Sequence, residues 1–160
     1  MKTLKLQKMN SQQYENFLKT QTAEYAKEKI SNGLWQEADA QQRASEEFES
    51  LLPNGLETYN NYLYVITDDQ VNVYGYVWLA DIVNYDEPDK KYLFIYNFAV
   101  LPKYQQQGIG RQAMKLVFQK AKDLDYVELG LHVFGNNKQA IHLYNESGFK
   151  TVDLVMKKKL

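Results

Sequence analysis

The apolar residues of this chain change spacing along its length, and the changes mark out the elements. Thr3 to Leu6 alternates Lys and Leu, the pattern of a short strand with one buried face. Asn10, with Gln13 three residues on, predicts a capped helix start. Tyr14, Phe17, Leu18 and Tyr25 then share a helical stripe, which polar Gln21 interrupts. Gly33 breaks that run. A second helix is predicted from about Trp35 towards Leu52, with Ala44 and Phe48 on one face, and Pro53-Asn54-Gly55 ends it. The Glu46-Glu47-Glu49 cluster reads as a solvated face.

Period two then takes over. Tyr62 to Ile66 is aromatic and β-branched, Asp68-Asp69-Gln70 makes a turn, and Val71 to Leu79 returns, so the pair predicts a hairpin. Alternation puts Val73, Gly75, Val77 and Leu79 on one face and Tyr74, Tyr76 and Trp78 on the other. After the polar loop Asn84 to Lys91, Tyr92 to Val100 is apolar nearly throughout, as for a strand buried on both faces, with Asn97 the exception. Leu101-Pro102 stops it. Ile109, Ala113, Leu116, Val117, Ala121 and Leu124 return to helical spacing. Val127 to Val133 alternates again, Asn136 or Asn137 caps a short helix carrying Ala140, Ile141 and Tyr144, and Gly148 stands just past its end. Lys150 to Lys159 reads as a last strand. The order β-α-α-β-β-β-α-β-α-β predicts one mixed α/β domain over residues 1–160.

Composition narrows the chemistry. The 160 residues suffice for a sizeable core, and 44% hydrophobic with 14% aromatic content excludes a disordered chain. The formal net charge of −1 gives no bulk attraction to nucleic acid, and Lys157-Lys158-Lys159 reads as a solvated terminus. With no cysteine there is no disulfide framework, thiolate metal site or cysteine nucleophile. No apolar run reaches spanning length and no secretory leader is evident, so a soluble, cytoplasmic protein without membrane or nucleic-acid partners is expected. A homodimer is compatible with the sequence.

The candidate binding element is Gln105-Gln106-Gln107-Gly108-Ile109-Gly110-Arg111, between the buried strand and the amphipathic helix. The first turn of a helix has N–H groups without intrahelical partners, and its dipole adds positive character. Glycines there let a backbone approach a ligand closely, which suits a pyrophosphate. The third glycine of a dinucleotide loop is absent, Ala113 standing in its place, and so is the Gly-Lys-Ser/Thr of a P-loop. Taken alone, a glycine turn with no ligand competes with this reading.

Gln105-x-x-Gly108-x-Gly110 resembles the acyl-CoA-binding motif of the GNAT superfamily of N-acetyltransferases, Arg/Gln-x-x-Gly-x-Gly/Ala. Asn137-x-x-Ala140-x-x-Leu143-Tyr144-x-x-x-Gly148-Phe149 resembles that superfamily's closing segment. Tyr25-Ala26-Lys27-Glu28-Lys29, Trp35, Leu51 to Thr58 and Leu131-His132-Val133-Phe134 look like the YycN-type acetyltransferases within it, so the resemblance spans essentially the whole chain. It implies the GNAT fold: a twisted mixed sheet of about six to seven strands with four helices, two parallel strands splaying to form the CoA cleft. It implies acetyl-CoA as cosubstrate, an amine acceptor and no metal. The pantetheine arm is then expected against the backbone of Phe98, Ala99 and Val100, like an added strand. The pyrophosphate is expected on the amides of Gln105, Gln106, Gln107, Gly108, Ile109, Gly110 and Arg111, and Asn137 against the pantetheine. Gln105 stands where many members carry Arg; the side chains of Arg111 and Lys103 are expected to replace that charge.

Acyl transfer to an amine needs a neutral nucleophile, a donor for the oxyanion and a proton for the leaving thiolate. Without cysteine, a cysteinyl acyl-enzyme is excluded, which favours direct attack in a ternary complex. Tyr144 matches the superfamily's motif tyrosine beside the thioester sulfur and is the expected general acid, against a role as a core tyrosine. His132 stands twelve residues before it, where ribosomal-protein alanine acetyltransferases carry a glutamate in a Leu-Glu-Val run, and is the expected base. A carboxylate acting through water, Glu57 for one, is the alternative. His142 reads as surface, and Asn97 as either a substrate-orienting group or the mark of a bulge. Trp35, Tyr25, Tyr74, Tyr76 and Trp78 read mainly as core, some of them at an acceptor pocket under the first two helices. The rivals are a catalytically silent CoA-binding sensor and an interaction protein with an empty cleft. The acceptor, small molecule or protein, is not legible.

Overall fold

The computed structural model describes residues 3–83 and 85–160. In order they form β1 (Lys5–Lys8), α1 (Ser11–Ser31), α2 (Glu37–Leu51), β2 (Asn61–Thr67), β3 (Val73–Ile82), β4 (Tyr92–Val100), α3 (Ile109–Asp123), β5 (Glu128–Leu131) and α4 (Lys138–Glu146). The strands make one sheet in sequence order, antiparallel from β1 to β4, with β5 parallel to β4. Parallel neighbours need a crossover, and α3 supplies it.

Helices cover both faces. On one, Phe17 of α1 and Phe48 of α2 pack against Leu63, Val65, Tyr76 and Trp78. On the other, Ile109, Ala113, Met114 and Val117 of α3 pack against Ile66, Val77, Leu79, Leu93 and Ile95. Ala26, Ala40, Ala44 and Trp35 form the seam between α1 and α2, where three small residues let the backbones approach. The start of α1 is the expected capping box: the Gln13 N–H donates to Asn10 Oδ1 at 2.8 Å, and the Asn10 N–H to Gln13 Oε1 at 2.9 Å.

Two bulges correct the simple alternation. Thr67 faces Val73 but Ile66 faces Gly75, so Tyr74 has no opposite residue. Its ring therefore joins the cluster of Val77 and Leu79, and Val73 packs with Tyr76 and Trp78, the reverse of what period two predicts. The Tyr74 hydroxyl donates to Asp68 at 2.8 Å within the preceding turn. In β4, Trp78 faces Asn97 but Leu79 faces Ile95, leaving Tyr96 as the extra residue. Leu93 and Ile95 before the bulge, and Phe98 and Val100 after it, all reach the α3 side.

Among the described residues the sheet has five strands, not the expected six to seven. The shortfall is in the last segment: Lys150–Leu160 joins no strand ladder and is exposed throughout, although Thr151 to Met156 has the β-branched and apolar content of a strand. β5 also ends at Leu131 rather than Val133, because its ladder with β4 stops there.

At Gly75 the backbone of β4 leaves no room for a side chain on β3. A Cβ at Gly75 would stand 2.0 Å from the Ala99 carbonyl oxygen, a backbone atom that cannot rotate away. Gly75→Ala should destabilise the protein by about 1–3 kcal/mol, the cost of overpacking a filled site. A thermal melting midpoint lowered by several degrees would show it; an unchanged midpoint would mean that the bulged strand shifts freely.

Candidate active site

The site begins where the β4–β5 ladder stops. Pairing runs from Tyr92 with Glu128 to Ile95 with Leu131 and no further. The bulge at Tyr96 follows at once, and the strands part. A cavity of about 930 Å³ opens there, lined by β4 from Phe94 to Val100, by the starts of α3 and α4, and by α1. The expected pantetheine segment, Phe98, Ala99 and Val100, forms one wall of it.

Asn97 lies beside the bulge. Its Nδ2 donates to Gln21 Oε1 at 3.1 Å, which explains the polar break in the α1 stripe: Gln21 turns inward and is 6% exposed. The Asn97 Oδ1 is buried without a partner on the cavity wall. An unpaired buried acceptor costs free energy that a donor on a bound ligand would recover.

The loop leading to α3 is braced by its own glutamines. Gln105 Nε2 donates to the Val100 carbonyl at 2.9 Å, and Gln107 Nε2 to the Lys103 carbonyl at 3.0 Å. Gln106 and Gly108 take positive φ, 57° and 78°, and Gly108 is the residue that starts α3 without a side-chain cap. A Cβ on Gly108 would meet no protein atom within 4 Å, so its outer side is open. Gln105, Gln106, Gly108, Gly110 and Arg111 line the cavity, whereas Gln107 does not and the Ile109 side chain is buried in the core. The charge expected from Arg111 is committed elsewhere: its guanidinium binds Glu146 at 2.6 and 3.1 Å, tying the start of α3 to the end of α4. Lys103 stands 4.7 Å over the Tyr104 ring and does not line the cavity. With both of those cations engaged elsewhere, the groups this loop leaves open towards the cavity are the backbone amides at the uncapped start of α3.

Facing the loop, α4 carries Tyr144 between the rings of Phe98 and Phe149, with centroids at 6.5 and 5.8 Å. Burial, and secondly the charge of Glu28, push its phenol up to about 12. Asn137 starts α4: its Oδ1 accepts from the Ala140 N–H at 3.1 Å, and its Nδ2 donates to Glu28 Oε1 at 3.3 Å. Burial raises the Glu28 carboxyl above its ordinary 4.5, opposed by the bond from Asn137, while the charge of Glu24 adds to the rise. His132 stands just past β5, its ring edge-on to Phe134 at 4.9 Å. Burial, then the Lys29 ammonium, hold it below 6.5, in the neutral form at neutral pH. His132, Tyr144, Asn137 and Glu28 all line the same cavity.

One expectation changes: Glu57 sits exposed in the turn after α2 and does not line the cavity. Glu28 does, with Glu24 and Glu47, and its placement beside Gln21 was legible, since Gln21, Tyr25 and Glu28 are spaced four and three apart on one face of α1. His142 is on the rim, 3.3 Å from Glu146. On the α1 and α2 side of the cavity, Tyr25 donates to Glu47 at 2.8 Å, and Trp78 stacks on Tyr96 at 4.8 Å. Among the described residues no cluster of metal-ligating side chains occurs, and no helix is long and apolar enough to cross a membrane.

Residues 20–149 match the acetyltransferase (GNAT) family. The chain is 34% identical over 160 residues to YycN of Bacillus subtilis strain 168, described as an uncharacterized N-acetyltransferase, covering 99% of both chains. It is 31% identical to YdgE of the same organism, also described so, over 97% of both. The crystal structure of Bacillus subtilis YycN superposes with a TM-score of 0.92 at 33% identity, over 99% of each chain. A structure of AAC(6')-Iy in complex with a bisubstrate analogue of CoA shares the fold, with a TM-score of 0.63 at 17% identity over 99% and 98%.

If the loop before α3 cradles a pyrophosphate, a side chain on Gly108 fills the open space and strains a left-handed residue. Gly108→Val should raise the dissociation constant for coenzyme A at least about tenfold, beyond its folding cost of about 1–2 kcal/mol. Titration calorimetry alongside a melting curve separates the two. Unchanged affinity in a folded variant removes the cradle.

Proposed function

The chain belongs to the acetyltransferase (GNAT) family, and we propose that it acts as one domain, moving the acetyl group of acetyl-CoA to a primary amine of a small molecule or peptide. The observation that carries this reading is one cavity shared by the stretch of β4 that has lost its partner on the β5 side, the open amides at the start of α3, and Tyr144. Acetyl-CoA is a substrate common to this family, and the residues fit it. An extended arm can lie along the β4 edge, with Phe98 and Val100 beside it, and a pyrophosphate on the backbone from Gln105 to Arg111. Asn137 would hold the arm from the α4 side.

The acceptor amine enters from the α1 and α2 side, where Glu24, Glu28 and Glu47 line the wall. Such an amine is charged in water, with a pKa of about 10.4 for a lysine-like group. The carboxylates attract the cation, and a base must then take one proton. His132 is proposed for that step, since burial keeps it neutral and able to accept. The amine nitrogen bonds to the thioester carbonyl carbon as the C–S bond breaks. The leaving thiolate takes its proton from Tyr144, which stays protonated across the working range because its pKa is raised. Turnover of acetyl-CoA against a panel of amines and peptides tests the whole reading, and a chain that binds CoA but acetylates nothing would be a sensor instead. A second reading of the base has its own support: Glu28 is the charged group that perturbs Tyr144 and it holds Asn137.

Tyr144→Phe keeps the ring between Phe98 and Phe149 and removes the proton. It should lower kcat by about 100- to 10,000-fold with acetyl-CoA affinity nearly intact. Full activity would leave Tyr144 as a packing residue.

The pH dependence separates the two bases only through variants. His132 titrates below 6.5 and Glu28 above 4.5, so their acid limbs converge and the wild-type profile of kcat/KM cannot assign either. In His132→Gln the acid limb should vanish, leaving the rise with pH that the acceptor amine itself imposes. In Glu28→Gln that limb should persist, with KM for a cationic acceptor raised. The reverse pattern transfers the base role to Glu28.

A further inference from the structure

The bulge in β4 sets a ring and an unpaired acceptor side by side. Tyr96 is the inserted residue, and Asn97 next to it faces Trp78. In a bulge two residues share one face, and here that is the face which α1 and α2 cover. The Tyr96 ring stacks on Trp78, with centroids 4.8 Å apart and planes at 22°. Asn97 Nδ2 bonds Gln21 of α1, while its Oδ1 is buried without a partner. Phe94, two residues before Tyr96, stands at 68° to it with centroids 5.0 Å apart. Both rings line the cavity, and neither belongs to the two cores that fill the sides of the sheet. Trp78 beneath is 1% exposed, but Tyr96 is 37% exposed. Aromatic surface left open in a cavity marks a place for an apolar group.

We propose that the acceptor is a primary amine carried on a flat aromatic body, with its ring on the Tyr96–Phe94 floor and its amine end at Asn97 Oδ1 and the carboxylates of α1. An N–H of the amine supplies the donor that Asn97 Oδ1 lacks, which recovers the cost of burying that oxygen unpaired. The three carboxylates of the wall argue against a polycation. Each already accepts from one donor of the protein: Glu24 from Lys27 at 2.8 Å, Glu28 from Asn137 at 3.3 Å and Glu47 from Tyr25 at 2.8 Å. That arrangement suits one ammonium group better than several spaced along a chain. Tyr96 is then the residue that sets specificity, because it meets the body of the acceptor and not the reacting atoms. The proposal narrows the acceptor of the acetyl-transfer reading and rests on that reading for its chemistry, but binding of the amine is measured without turnover.

Calorimetry in the presence of coenzyme A compares phenylethylamine with cyclohexylethylamine, which has the same skeleton and amine but a saturated ring, and with spermidine as a polycation. Ring pairs contribute beyond their buried area, so phenylethylamine should bind about three- to tenfold more tightly than its saturated counterpart, and more tightly than spermidine. With acetyl-CoA, kcat/KM should follow the same order. Tyr96→Leu, shown to be folded by circular dichroism, should bring the two ring amines within about twofold of one another, and Tyr96→Phe should restore the preference. If Tyr96→Leu does not fold, Phe94→Leu replaces it with the same expectation. Equal binding of the two ring amines, binding of neither, or tighter binding of spermidine overturns the proposal. So does a preference that survives in the folded leucine variant. The expected preference in binding with no acetylation keeps the aromatic site and removes the transfer reading instead.

Discussion

The site depends on the loss of one strand ladder. β4 and β5 are bonded for four residue pairs, and then Tyr96 bulges and the pairing stops. A bulge adds a residue to one strand, so it bends that strand and reverses which face the following side chains occupy. Here it does three things together. It opens the gap between the parallel strands, it keeps Phe98 and Val100 on the α3 side with Leu93 and Ile95, and it places Asn97 beside the cavity. Gly75 accommodates the bulged strand from behind, because only a residue without Cβ tolerates the Ala99 carbonyl at that distance.

The polar groups that the bulge exposes are held by α1. Gln21 reaches Asn97, and seven residues on Glu28 reaches Asn137 at the start of α4. These two bonds join one helix to both walls of the gap, across sequence separations of 76 and 109 residues. Buried amides and carboxyls are costly unless paired, so each contact fixes its partner in place. The helix that reads as a scaffold from its aromatic stripe therefore also sets the position of site groups.

Elements were legible because their periods are strong. The stripe of α3, the apolar run of β4 and the capping box of α1 each stand where the pattern puts them. What failed has a common cause: a residue count cannot reveal a bulge. Period two assigned Val73 and Tyr74 to the wrong faces because the extra residue in β3 is set by pairing with β2, not by local sequence. The last strand misled for a related reason. Lys150–Leu160 has the pattern of a strand, but a strand needs a neighbour, and no local signal names it. In the site, the glycine loop was legible from spacing, whereas the role of Glu28 depends on burial and on Asn137, both properties of the assembled fold.

Glu28 also bears on how an acceptor and the acid would act on one another. Its negative charge is one of the two causes that hold the Tyr144 phenol high, and a phenol held high is a reluctant donor. On the proposed reaction, the acceptor arrives as a cation and settles near Glu28. Its positive charge then offsets the carboxylate's field at Tyr144, because opposite charges at similar distance cancel in the Coulomb sum. The tyrosine becomes a better acid when an acceptor is bound than when the site holds acetyl-CoA alone. With no acceptor present, thiolate departure lacks a ready proton, which disfavours wasteful hydrolysis of the thioester by water. Under that proposal, the carboxylate that draws in the amine also conditions the proton needed at the other end of the reaction.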